Sequence, residues 1–561
     1  MIPLQLLPDA LNASFKAIPA VMVSAMLLLF LGIGYVFRVA DTEDLWVAGR
    51  SIGNVENGMA IGANWMSAAS YLGMAALIAL SGYYGLAYVV GWSTGYFILL
   101  IFLAAQMRRF GKYTAPDFVG DRFDSDAARA IAALTTILIG FVYSVGQARG
   151  MGLVGIYVFG GDYTTMVILM MSITVGYLAL SGMLGATKNM AVQYVILIVA
   201  FLAGLYAVGW TQGYSTFLPH IEYGALLSEL DSQFTEPFAT DSFYLWVATA
   251  FSLIVGTCGL PHVLVRFYTV ESERTARWST VWGLFFICLL YWSAPAFAAF
   301  GTDLYANVVG PVYGANGMSG AEGDVIVVLA SQLANLPEWF VGLVAAGGVA
   351  AAIATTAGLF ISASSAAAHD IYTNIVNPDA TQRQQLLIGR ATIIGLGAIV
   401  TVTALDPPAL VGELVALAFS LAGLVLFPMF FLGLWWENAN RQGALAGMTT
   451  GLVIWTAAVL NELVLATDAG PVVPLYADVF PAVGAALAGT PIVFAVTIGV
   501  SLATEEPPER IKRIVRQCHS PEPMGQQESA EEVATDGGRV SPESRPSADA
   551  SADGDEPQRG D

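Results

Sequence analysis

The sequence predicts an all-α protein that crosses a membrane about thirteen times, and three observations carry that prediction. Of the 561 residues, 56% are hydrophobic and only 12% charged, with a mean hydropathy of +0.65; a soluble domain carries about 25% charged residues. Apolar windows of about twenty residues, the length a helix needs to cross the hydrocarbon, recur at roughly 18–37, 56–82, 86–106, 130–158, 164–183, 190–210, 243–262, 279–301, 339–367, 388–404, 409–435, 443–465 and 481–503. Two of these windows, 56–82 and 243–262, are interrupted by polar residues and glycines.

The interruptions carry the functional expectation. Within 59–73 the chain places Asn64, Ser67 and Ser70 between Gly62 and Gly73. The second interrupted window ends in Gly256-Thr257-Cys258-Gly259-Leu260-Pro261. In hydrocarbon, a backbone group released by a helix break must find protein, water or an ion. Two interrupted spans, each opening one half of the chain, predict a transporter with its site at the interface of two repeats.

An odd number of spans puts the termini on opposite sides, and the basic residues orient them. Loops after odd-numbered windows hold Arg38, Arg50, Arg108, Arg109, Lys112, Arg122, Arg129, Lys188, Arg266, Arg274, Arg277, Arg383, Arg390 and Arg441, and the C-terminal tail holds seven more. The opposite side carries Lys16 alone. The positive-inside rule then sets the N-terminus outside and the tail in the cytoplasm, in a multi-pass plasma-membrane protein. The first 17 residues lack a basic n-region, so the first window reads as an anchor.

Between the windows lie two outer loops long enough to fold. Residues 211–242 are acidic and aromatic; residues 303–338 are Gly-rich and then helical in pattern around 324–335. The transporter domain thus occupies 1–503. The tail, 504–561, opens with Arg510, Lys512, Arg513 and Arg516, suited to anionic lipid, and continues in Glu, Asp, Ser, Pro and Gly. That composition predicts disorder, because it cannot bury enough apolar surface to fold. The net charge of −20 lies in loops and tail, a surface suited to a high-salt habitat.

Composition also excludes classes of function. Cys258, Cys288 and Cys518 are too few and scattered for a disulfide framework or zinc site. Four histidines at unrelated spacings argue against a metal enzyme, and no nucleophile or nucleotide motif stands out. The expectation is no enzyme and no cofactor, with no nucleic-acid partner.

Two constellations have chemistry to offer. The first pairs 62–67 with Ala351-Ala-Ile-Ala-Thr355-Thr356. A hard cation takes oxygens from carboxylates, carbonyls and water; a broken helix offers carbonyls and threonine offers hydroxyls. The competing reading is that Thr355 and Thr356 bond back to carbonyls one turn earlier. The second is Arg149, the only basic residue well inside a window. Intramembrane charges mark functional sites, and a guanidinium grips a carboxylate bidentately. Arg149 is therefore either a substrate anchor, with Gln147 beside it in the pocket wall, or a structural partner to an acid or carbonyl. Glu413, near the outer end of its window, reads as facing the interface rather than a proton path.

The motifs from Asn57-Gly58 through Met66-Ser67-Ala68-Ala69-Ser70-Tyr71-Leu72-Gly73, then Gly111-Lys112-Tyr113-Thr114 with Asp117, Gly182-Met183-Leu184 with Gln193, Gly256 to His262 with Arg266-Phe267, and His369-Asp370-Ile371-Tyr372 resemble the sodium:solute symporter family. The nearest likeness is its acetate, or short-chain monocarboxylate, permease branch, over residues about 40–460. The resemblance implies a LeuT-type fold with two inverted five-helix repeats, about 56–210 and 243–435, and sodium-coupled alternating access. It implies sodium ligands at the carbonyls of Ala63, Met66 and Ala351 and the hydroxyl of Thr355, with Thr356 adjacent. Substrate would sit beside Asn64, Ser67, Gln147 and Arg149. The chain departs from the pattern before Gln193, where Thr187-Lys188-Asn189-Met190 carries no acid, so a second sodium site is not implied. It also has Ala354 where other members often carry a hydroxyl, and Arg149 where the acetate branch is apolar.

The expected function is import of a small monocarboxylate such as acetate, driven by sodium as the coupling ion. The partners are that carboxylate, sodium and the bilayer; the sequence sets no oligomeric state. Alternatives are a sodium symporter for a proline-like amino acid or a sugar, a proton-coupled carrier, and, from another class, a membrane sensor module.

Overall fold

In a computed structural model, the protein is described over residues 15–520, apart from 39–47, 49–51, 215–217, 228, 231, 239–241, 271, 311–317 and 468–469. Among the described residues every regular element is helical. Ten segments are long and apolar enough to cross a membrane, eleven if the pair Phe243–Gly259 and Pro261–Phe267, bent by 49°, forms one span. The sequence count of thirteen exceeds this for two local reasons. The run Ala69–Phe102 satisfies the length test as one segment, yet Gly82, at φ 54°, divides it. Tyr163–Ala179 is apolar but short.

The helices are α1 (Ala17–Val36), α2 (Asn54–Trp65), α3 (Met74–Ser81), α4 (Leu86–Phe102), α5 (Ala104–Phe110), α6 (Ala115–Arg122), α7 (Asp126–Phe159) and α8 (Tyr163–Thr211). After an outer α9 (Pro219–Leu226) come α10 (Phe243–Gly259), α11 (Pro261–Leu264), α12 (Glu273–Val308), α13 (Ile326–Leu333) and α14 (Glu338–Ser365), which continues as π-helical turns through Ala366–Val376. The chain ends in α15 (Gln382–Ala404), α16 (Val411–Trp435), α17 (Arg441–Val459), α18 (Ala486–Ala503) and α19 (Glu509–His519). The helix expected around 324–335 is α13.

Helix starts follow local chemistry. Ser125, Ser242, Ser272 and Asn440 each accept a backbone N–H of the first turn of α7, α10, α12 and α17, satisfying donors that the helix itself cannot. Gly182, at φ 56°, turns the chain inside α8 and so separates two sequence windows that run on as one element.

Packing sorts the helices into two groups. α2 lies along α12, and α10 along α4; α14 packs on α7 and α8, with α15 against the same pair. α16 touches both groups, through α10 and α7. Small residues allow the closest approaches: a Cβ on Gly256 or Gly259 would stand 2.4 Å from the Phe419 or Ala422 carbonyl of α16. This is the backbone contact that glycine permits between apolar helices.

The tail departs from expectation over its first part. Residues 509–519 form α19, which packs against α5, α6 and α16. Its basic residues meet protein acids instead of standing free for lipid. Arg516 bonds Glu437 and Glu509, Lys512 bonds Glu506, and Arg510 pairs with Asp124. The remainder of the expected disordered tail, 521–561, lies outside the described residues.

Candidate functional site

α2 stops at Trp65 because Met66 leaves the helical region, at φ −74° and ψ 74°. In a continuous helix the N–H groups of 67–70 would bond the carbonyls of 63–66. Here Ser67 N–H goes to the Trp65 carbonyl (2.8 Å), Ala68 N–H to Gln147 Oε1 (2.8 Å), Ala69 N–H to Ser67 Oγ (3.1 Å) and Ser70 N–H to the Ser67 carbonyl (3.0 Å). Trp65 regains a second donor from Ser70 Oγ at 3.3 Å. The carbonyls of Ala63 and Met66 are thereby stripped of their helical donors, in a segment that is fully buried. Both are residues that the sequence assigned to a cation.

α14 faces this break. Thr355 Oγ1 donates to the Asn64 carbonyl at 2.8 Å, across 291 residues of chain. Thr356 behaves differently: its hydroxyl returns to the Ala352 carbonyl one turn earlier, at 2.8 Å. Of the two, Thr356 alone bonds back to its own helix. Ala351 lies one turn before Thr355, buried in the same helix. Gly358, one turn later, makes room for Asn64, whose Oδ1 stands 2.0 Å from where a Cβ would be.

Asn64 also ties the first break to the second. Its Nδ2 donates to the His262 carbonyl at 3.2 Å, and Asn57 Nδ2 donates to the Arg266 carbonyl at 3.2 Å. His262 follows Pro261, which cannot donate a backbone hydrogen bond and opens α11 after Leu260 leaves the helix at ψ 117°.

Around these breaks, several buried polar atoms have no hydrogen-bond partner among the described residues. They include the indole N–H groups of Trp65 and Trp92, Gln147 Nε2, Ser420 Oγ and both ring nitrogens of His262. The aromatic contacts join them: Tyr143 stands against His262 (5.5 Å between ring centres) and Phe419 (5.8 Å), while Phe419 also meets Trp65 (5.4 Å) and Trp92 (5.8 Å). Buried polar groups are ordinarily bonded, and these lie in an aromatic setting. Sequence reasoning singled out Gln147 and the His262 motif but missed Tyr143, Trp65, Trp92 and Phe419. Tyr143 and Gln147, one turn apart on α7, were the available signal.

Arg149 has another engagement. Its Nε donates to Asp324 Oδ2 at 2.7 Å, and its Nη1 to the Ala409 carbonyl at 2.9 Å. Asp324, fully buried, also accepts the Val411 N–H that opens α16 (3.3 Å), an anion at a helix N-terminus. The carboxylate that Arg149 grips in this structure therefore belongs to the protein, which is the structural alternative weighed for it. Glu413 caps the same helix, accepting the Leu410 N–H at 3.0 Å. Burial holds the Asp324 carboxyl up at about 6, against the pull of the Arg149 charge.

Comparison with known proteins gives the family and the fold. The model of the sodium:solute symporter family matches residues 45–451. An uncharacterized symporter of Cupriavidus necator is 30% identical, the match covering 86% of this chain and 91% of that protein. The uncharacterized symporter YwcA of Bacillus subtilis is 32% identical, over 74% of this chain and 80% of its own. Among solved structures, a Na+-coupled sialic acid symporter in its substrate-bound outward-open state superposes with a TM-score of 0.71 at 15% identity, covering 88% of this chain and 99% of that one. That likeness shows the fold, the LeuT type.

Proposed function

We infer from this chain's place in the sodium:solute symporter family, to which it belongs, that its sodium-coupled symport serves a small monocarboxylate such as acetate. Sodium is cargo here, together with the solute it drives. The observation that carries the cation site is the break in α2: Ala63 and Met66 carbonyls deprived of helical donors, facing a hydroxyl on α14 that reaches Asn64. We assign sodium to the Ala63, Met66 and Ala351 carbonyls and the Thr355 hydroxyl, with Thr356 in support. An entering ion would draw the Thr355 hydroxyl oxygen toward itself, and the bond to Asn64 would give way.

For the substrate, the support is the excess of donors over acceptors. The Trp92 indole and the Gln147 amide offer N–H groups without acceptors among the described residues, and a carboxylate brings two acceptor oxygens. The aromatic side chains around these donors suit a small apolar remainder, as in acetate or propionate. Asn64 and Ser67 complete the lining at the break. Arg149, already paired with Asp324, we place at an outer gate rather than on the substrate.

The orientation we propose has the basic face in the cytoplasm of a plasma membrane and the Arg149–Asp324 pair toward the outside, following the basic residues of the loops. Substrate and sodium then enter past that pair and leave toward α6.

The test is uptake into proteoliposomes. Labelled acetate, propionate and pyruvate are supplied with an inward sodium gradient, then with potassium in its place. Sodium-dependent uptake competed by short carboxylates is expected. Sodium-dependent uptake of proline or glucose, without acetate, would sink the monocarboxylate reading and leave the symport intact.

A further inference from the structure

On the basic face, away from the breaks, α6 meets the π-helical end of α14 and buries charge that the transport reading does not use. Asp117 of α6 stands with its Oδ2 3.0 Å from His369 Nε2, while Thr114 Oγ1 donates to Asp370 Oδ1 at 2.9 Å. One atom each from Asp117, His369 and Asp370 lies within 4.8 Å of the other two. Asp370 is completely buried, and its Oδ2 has no hydrogen-bond partner among the described residues.

Carboxylates crowd this cluster. Arg129 bonds Asp117 Oδ1 (2.7 Å) and Asp121 Oδ1 (2.6 Å) and stands 3.8 Å from Asp370 Oδ1. Lys112, half-exposed, pairs with the outer Asp121 at 3.4 Å. A cation would supply the partner that Asp370 Oδ2 lacks among the described residues.

We propose that Asp117, His369 and Asp370 form a binding site for a divalent transition-metal cation of the zinc class. One imidazole nitrogen with two carboxylates is a donor set that such ions take. Tetrahedral ligands about 2.1 Å from one metal stand about 3.4 Å apart, so His369 Nε2 and Asp117 Oδ2, 3.0 Å apart here, would part by only about 0.4 Å to admit the ion. Water completes the coordination, and Arg129 keeps its bonds to Asp117 Oδ1 and Asp121. The ion would fasten α6 to the end of α14, the helix that carries Thr355, and so stiffen the basic end of the transport path.

The experiment uses the full chain, purified in detergent and stripped of metal, titrated with Zn2+ by calorimetry. One saturable site is expected in the wild type, weakened at least tenfold in His369→Gln and in Asp370→Asn. Equal stoichiometry and affinity in both variants would overturn the proposal and mark adventitious binding elsewhere, for instance at His519. Should either variant fail to fold, Co2+ added to the wild type decides. Visible absorption of a nitrogen- and oxygen-ligated Co2+, displaced by one equivalent of Zn2+, supports the site; its absence overturns it.

Discussion

The hydroxyl of Thr355 donates to the backbone carbonyl of Asn64 at 2.8 Å, joining the long straight α14 to the point where α2 breaks. A threonine that spends its hydrogen bond on another helix holds two elements in register and keeps a hard oxygen beside carbonyls that have lost their donors. Removing that oxygen should be felt in the cation, beyond the cost of leaving the buried Asn64 carbonyl without this donor.

Thr355→Ala is expected to raise the sodium concentration for half-maximal uptake about tenfold, the effect of a lost interaction of about 1.4 kcal/mol, while Thr355→Ser stays near wild type. Thr356→Ala, which deletes only a bond within its own helix, should shift it less. Sodium titration of labelled uptake measures all three. An unchanged sodium dependence in Thr355→Ala would remove Thr355 from the site.

Gly358→Ala drives a methyl to within 2.0 Å of Asn64 Oδ1. Buried on every side, Asn64 can yield only by giving up its bond to the His262 carbonyl or by moving the break. Transport should fall severely, with a loss of stability of about 1–3 kcal/mol, the usual cost of overpacking. Thermal unfolding and uptake, measured on the same preparation, check the two halves of that statement.

The Arg149–Asp324 pair predicts a pH dependence. With the Asp324 carboxyl held up at about 6 by burial, acidification through pH 6 neutralises it and breaks the ion pair. For stability the sign is worked out the same way. The folded state keeps this proton to about pH 6, and the unfolded chain releases it near its ordinary value of 3.8. The contribution is therefore favourable below about pH 4 and is lost as pH rises toward 6. In uptake, the wild type should change rate as outside pH falls below about 6, and Asp324→Asn should be flat there. Asp324→Asn, a standing mimic of the protonated carboxyl, should therefore cost little stability at pH 7. Identical pH profiles in wild type and Asp324→Asn would disprove the gate.

Docking of α19 can be read from Cys518. Its side chain is buried and its thiol is pushed up to about 12, while its carbonyl accepts Arg109 Nη1 at 3.0 Å. Arg109 also holds Glu273 Oε2 at 2.8 Å. In a Cys288→Ser background, Cys518 should resist maleimide at pH 8 by about a thousandfold relative to a free thiol, because the thiolate is the reactive form. Arg109→Ala should speed labelling. Rapid labelling of the unaltered chain would mean that α19 does not stay docked.

What was legible in the sequence was whatever depends on neighbours along the chain. Apolar length gave the spans, since a helix must match the hydrocarbon whatever surrounds it. Asn64, Ser67 and Pro261 marked the breaks, because backbone geometry and missing donors are local properties. The family motifs then carried the choice of Ala63, Met66 and Thr355, and the diverted N–H groups of 67–70 are the geometry consistent with it.

Tertiary structure decided which partner each buried polar group meets. Arg149 read as either an anchor for a substrate carboxylate or a structural partner, and Asp324, 175 residues away, supplied a carboxylate from the protein. Gln147 became the cap of the broken helix, and Thr355 parted from Thr356 although the two are adjacent. α19 found Glu437 and Asp124 where composition alone pointed to lipid. The reason is common to all of these. A buried charge or hydrogen-bonding group must be satisfied wherever the fold brings a complement within about 3 Å, and that complement comes from distant chain whose approach no local pattern encodes.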